Sequence, residues 1–129
     1  MIENGLFSYL SSVSGITAIV GTRIFAVRLP QQPTFPSIVY SRITGSRVQK
    51  HGGRSGLAHP RFQIDAWADS PLTAKQLAEQ IRLALEGYSG AMGSETAQAV
   101  LFIGDSDDYE PETGKFRVIS EYEIWHGES

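Results

Sequence analysis

The sequence predicts an α+β fold: an antiparallel or mixed sheet of about five strands with helices, the N-terminal one and one from Pro71 to Glu86, packed on one face. Apolar residues recur at helical spacing twice, as Ile2, Leu6, Tyr9, Leu10 and Val13 and as Ala74, Leu77, Ala78, Ile81 and Leu85. Between and after these stripes, β-branched or alternating stretches lie at hairpin spacing. No linker or internal repeat divides the 129 residues, so residues 1–129 are expected to form a single domain. A composition of 41% hydrophobic and 19% charged residues suits a buried core and not a disordered chain.

The first stripe ends at Ser14 and Gly15, and Glu3 stands where the helix dipole favours an acid. Residues 16–20 predict a short second helical turn, with Ile16, Ile19 and Val20 on one face and Gly21 as a left-handed stop. Residues 23–27 read as a first short strand. Residues 29–36 contain Pro30, Pro33 and Pro36, which forbid a helix and interrupt any central ladder, so this stretch is an extended connector. Residues 37–46 predict a long strand with Ile38 and Tyr40 on one face and Val39 and Ile43 on the other. The polar, basic stretch 47–57, with Gly52, Gly53 and Gly56, predicts a long mobile hairpin loop.

The return strand, 61–68, alternates Phe62, Ile64, Ala66 and Ala68 on the core face with Arg61, Gln63, Asp65 and Trp67 on the other. Ser70 as N-cap, Pro71 in the first turn and Gly87 past the end delimit the second long helix, whose Lys75, Gln76, Glu79, Arg82 and Glu86 face water. Residues 88–94 predict a loop. Residues 96–104 and 115–125 predict two further strands, joined by an acidic, turn-rich connection that includes Pro111 and Gly114.

Zero cysteines leave no disulfide, thiolate ligand or cysteine nucleophile. The start Met1-Ile2-Glu3-Asn4 has no basic leader region, and no apolar run is long enough to cross a bilayer, so a soluble, unexported chain is expected. The net charge of -3 argues against bulk adhesion to nucleic acid. Beneath that total lies a split: residues 1–64 carry seven Lys/Arg and one acid, a net +6, whereas residues 65–129 carry four Lys/Arg and thirteen acids, a net -9.

Catalytic motifs fail on spacing. Neither Gly53-Arg54-Ser55-Gly56 nor Gly104-Asp105-Ser106-Asp107 has the form of a nucleophile elbow, and the Gly52-Gly53 stretch lacks the Gly-Lys-Ser/Thr ending of a phosphate loop. His51, His59 and His126 do not pair at metal-ligand spacing and read as solvated loop and strand-end residues. Asp105, Asp107, Asp108, Glu110 and Glu112 begin like a calcium loop, but Tyr109 occupies the fifth position and Glu110 the place of the glycine turn. A hairpin tip or an electrostatic docking surface is expected there instead. No catalytic residue, metal site or cofactor is assigned, and the chain is not expected to be an enzyme.

Interaction chemistry remains. Arg42, Arg47, Lys50, Arg54 and Arg61, with no acid among them, could contact phosphates, which makes a DNA-binding module over residues 42–61 the alternative reading. They lack the interleaved aromatics of a base-stacking platform. Opposite charge in the two halves suits head-to-tail contact between copies equally well. Trp67 and Trp125 both fall on the polar side of their strands, which points either to a protein interface or to a bulge or helix covering that face.

The ordered set Ile2 to Leu10, Val20-Gly21-Thr22-Arg23-Ile24-Phe25, Leu29-Pro30-Gln31, Pro36-Ser37-Ile38-Val39-Tyr40, Gly56-Leu57-Ala58, Phe62-Gln63-Ile64-Asp65-Ala66-Trp67-Ala68, Ala74-Lys75-Gln76-Leu77-Ala78 and Tyr109-Glu110-Pro111-Glu112-Thr113-Gly114, with a last strand ending Ile124-Trp125-His126, resembles the tail completion (tail terminator, head–tail joining) family of long-tailed bacteriophages and prophages. The resemblance implies a small α+β structural protein that forms a ring, commonly six-fold, at the head-proximal end of the tail. Its implied partners are further copies of itself, the tail-tube protein and the head-connector protein, with DNA only in passage through the ring and no membrane. Its implied locations are the host cytoplasm during assembly and the head–tail interface of the virion. No catalytic residue comes with the resemblance. The interface residues expected on charge and parity are Arg42, Arg47, Lys50, Arg54, Arg61, Trp67, Asp105, Asp107, Asp108, Glu110, Glu112 and Trp125.

Overall fold

The computed structural model describes residues 2–44, 47–50 and 53–127, and the side chains of 47–50 and 53–57 lie outside that description. Helices α1 (Ile2–Ser12) and α2 (Ser14–Val20) are followed by strands β1 (Ile24–Ala26), β2 (Ser37–Thr44), β3 (Arg47–Lys50), β4 (Gly53–Ala58) and β5 (Arg61–Ala68). Helix α3 (Pro71–Leu85) then precedes β6 (Gly90–Met92), β7 (Glu95–Glu110) and β8 (Lys115–Gly127). All the described strands join one mixed sheet, in which β1 runs parallel to β2 and the remaining pairs are antiparallel. Across it, β2 pairs with β5, β5 with β8, β8 with β7, and β7 with β6.

The three helices share one hydrophobic core with one face of this sheet, the α+β arrangement that the two apolar stripes predict. Ile2, Leu6 and Leu10 of α1, Ile16 and Val20 of α2, and Ala74, Leu77, Ala78, Ile81 and Leu85 of α3 are all buried. Opposite them lie Phe62, Ile64, Ala66 and Ala68, so the alternation of β5 is observed as read. The limits of α3 are equally local: Ser70 Oγ accepts the Thr73 amide at 3.2 Å, and Gly87 takes φ +76° just past the last turn. Gly5 is where α1 packs closely against the end of β6. A Cβ there would meet the Met92 carbonyl oxygen at 2.5 Å, so only glycine lets the helix lie against the end of β6.

Three expectations are corrected. Residues 47–50 and 53–57 are strand and not loop: β3 and β4 pair antiparallel from Arg47↔Ala58 to Lys50↔Gly53, prolonging the β2–β5 hairpin, while His51 and Gly52 lie outside the described residues. Glycine weakens a strand, but a continuing ladder supplies what local propensity lacks. The acids Asp105, Asp107, Asp108 and Glu110 do not form a turn-rich connection; they belong to β7, which pairs with β8 as far as Glu110↔Lys115. Here Arg117, opposite Asp108 on β8, and Lys75 of α3, beside Asp107, supply counter-charge that an isolated acidic stretch lacks. Within the predicted loop 88–94, Gly90–Met92 pairs with Glu95–Ala97 as β6.

Candidate functional site

The face of the sheet away from the helices is built by strand parity. Trp67, Asp65, Gln63 and Arg61 of β5 stand opposite Arg117, Ile119, Glu121 and Glu123 of β8. At its centre the Arg117 guanidinium lies 4.8 Å from the Trp67 ring, donates to Asp108 Oδ2 at 2.5 Å through Nη2, and reaches Asp65 Oδ2 at 3.3 Å. Phe35, carried by the proline-rich connector, packs its ring 6.2 Å from Trp67, and Lys115 Nζ sits 5.3 Å above the Phe35 ring while binding Asp69 at 2.5 Å. Trp67 is therefore half-buried by its own chain. Burial pushes the Asp65 carboxyl above the usual carboxylate range, against the opposing hydrogen bond from Gln63 and the Arg117 charge.

Trp125 occupies the same face near the far end of β8. Its ring stacks on His59 at 4.2 Å, and Nε1 donates to Glu123 Oε1 at 2.7 Å. Glu123 also lies 3.6 Å from His59 Nδ1, a buried atom with no hydrogen-bond partner among the described residues. The expectation of a solvated His59 is thus corrected: at the break between β4 and β5 its imidazole lies against the indole and is largely covered. His126 lies in β8 as read, and His51 lies outside the described residues. Among the described residues, no group of three metal-ligating side chains converges.

The charged residues named from sequence do not meet in one place. Arg42 reaches Glu3 at 3.8 Å and Arg61 reaches Glu121 at 3.7 Å, so two members of the basic run already have carboxylate neighbours. Arg47 and Lys50 belong to β3 and Arg54 to β4, with their side chains outside the described residues. On the acidic side Asp107 pairs with Lys75 of α3 at 3.0 Å and Asp108 with Arg117. Glu110 Oε1 accepts the Glu112 amide at 3.0 Å, bracing the turn. Between α3 and β7 runs an open polar groove of about 380 Å³, lined by Lys75, Glu79, Arg82, Asp105 and Asp107 over a floor that includes Phe102.

Parity alone located both tryptophans. The Arg117 cluster and the unusual backbone at Val27 were not anticipated: this β-branched residue has φ +71° and is 75% exposed, at a γ-turn in which the Arg28 amide donates to the Ala26 carbonyl. A lone valine before a connector carries no sequence signal of such a turn.

The sequence model of the family described as tail completion protein gp17 matches residues 4–127. Among solved structures, the fold is similar to a chain in the virion of a native gene transfer agent (GTA) particle, with a TM-score of 0.79 over 95% of this chain and 91% of that chain at 16% identity. No curated protein matches.

Proposed function

Because the chain belongs to the tail completion protein gp17 family and is thereby a structural component of a phage-type tail, we propose that it forms a ring at the head-proximal end of a phage or prophage tail, terminating the tail tube and joining it to the head connector. The observation that carries this reading is the reach of the family match, which takes in the outer sheet face and both charged ends of the molecule. Its surfaces suit contact: half-buried tryptophans on one face, Leu101 and Ile103 exposed on β7, and opposite charges on the hairpin and on β7. The protein acts as a subunit and not as a catalyst. It assembles in the host cytoplasm with tail-tube and connector proteins and stays in the virion.

Deleting the gene from a phage or inducible prophage tests this. The expected phenotype is filled heads and unjoined tails of irregular length, restored to joined particles by the gene supplied in trans. Normal infectious yield from the deletion strain would remove the proposal.

A further inference from the structure

Among the described residues, the outer edge of β7 is unpaired over most of its length. Glu95–Ala97 pair with β6, and the Val100 carbonyl accepts the Gly87 amide at 2.9 Å. Beyond it, across residues 101–110, no described strand bonds to that edge. An open edge of this length is a template for strand addition, usually blunted by charge or a bulge. Both devices are present: the ladder slips between Phe102 and Gly104, and Asp105, Asp107, Asp108 and Glu110 follow. They repel an arbitrary strand and admit a basic one. Asp107 and Asp108 have Lys75 and Arg117, whereas Asp105, Glu110 and Glu112 have no cationic partner among the described residues.

A basic strand with a free edge lies at the other end of the same molecule. β3 pairs with β4 alone among the described strands, and the two carry Arg47, Lys50 and Arg54 without an acid. β4 is anchored to β8 only through Leu57↔Gly127 and Ala58↔His126, so most of the hairpin runs on past the sheet. Along β8, Asp108 faces Arg117 and Ala58 faces His126, which separates the acidic and basic ends by about 30 Å of extended strand. That is well over the Debye length of about 10 Å at 0.1 M salt, so the two ends cannot neutralise one another within one subunit.

We propose that the 101–110 edge of β7 receives the free edge of β3 from a second copy of this chain, extending the sheet from subunit to subunit. The two edges are different surfaces, so the contact is heterologous and repeats head to tail. This inference rests on the ring reading above and names the contact that closes the ring. A strand laid on β7 would also border the groove beside α3, bringing basic side chains toward Asp105 and Glu79.

The test is sedimentation of the full chain at low salt, with two charge-reversed variants: Asp105→Lys with Glu110→Lys on the edge, and Arg47→Glu with Lys50→Glu and Arg54→Glu on the hairpin. Each variant alone should self-associate about tenfold more weakly or worse. An equimolar mixture should recover association, because each reversed surface then meets its complement on the other variant. Circular dichroism verifies folding, and Asp105→Asn with Glu110→Gln substitutes for an edge variant that does not fold. Wild-type affinity in both single variants, or a mixture no tighter than its components, overturns the pairing. So does a wild-type chain that stays monomeric at low salt and high concentration. The deletion phenotype judges the joining role separately, so failure of the strand contact and failure of that role give different results.

Discussion

Asp65 is held out of water beside Arg117, and the two respond differently to substitution. Arg117→Met leaves a buried carboxylate without its cation and should cost about 3 kcal/mol of stability by denaturant melts at neutral pH. Asp65→Asn leaves Arg117 paired with Asp108 and should cost far less. Because the folded-state pKa of Asp65 is raised, the folded protein binds its proton more readily than the unfolded chain. Stability should therefore fall as pH rises through the range just above an ordinary aspartate, and Asp65→Asn should remove that slope. Tyr122 makes a second case: its hydroxyl is fully buried, has no hydrogen-bond partner among the described residues, and is pushed well above its ordinary pKa by burial. Tyr122→Phe should be neutral or stabilising by about 1 kcal/mol in the same melts. For Trp67 and Trp125, half-buried on the outer face, truncation to Ala should lower particle yield more than it lowers the melting temperature of the free chain; a loss of about 3 kcal/mol or more in the free chain would assign them to the subunit's own packing. Their parity was readable because a strand's period is two, but the identity of what covers them was not. Phe35 and Arg117 come from other segments, and no local pattern names such partners.

At the scale of elements, α3 was legible to within a residue because its stop and start chemistry is contained in Ser70, Pro71 and Gly87. The β3–β4 hairpin and the acidic half of β7 were misread for the converse reason: each owes its strand form to a partner strand and not to its own propensities. That difference predicts an exchange pattern. In the free chain, amides of β3 and of β4 before Leu57 should exchange faster than those of β5 and β8, since β4 joins the sheet only at its end. Protection should rise there on assembly, and hydrogen exchange of free chain and assembled particles checks both halves. The contact of α1 with β6 gives another prediction. Gly5→Ala forces a methyl group against the Met92 carbonyl and should destabilise the fold by about 1–3 kcal/mol, although alanine is the better helix former.

For the whole molecule, part of the charge difference between the two halves of the sequence falls at two ends of one sheet, the basic β3–β4 hairpin and the acidic edge of β7, separated along β8. The imbalance is legible in the sequence; only the strand register shows how far apart the hairpin and the acidic edge lie. Self-association is accordingly expected to weaken as salt rises from 0.05 to 0.5 M on the order of the screening length, and sedimentation across that range checks it. In the role proposed for it, this tail component sits between tube and head. A reconstruction of the head–tail junction in particles that carry the chain tests it most directly. The predicted result is a closed ring of this subunit, six-fold as the family resemblance implies, capping the last tube ring and touching the connector. A junction in which tube and connector meet with no density for this chain, or its density found elsewhere in the particle, would contradict it.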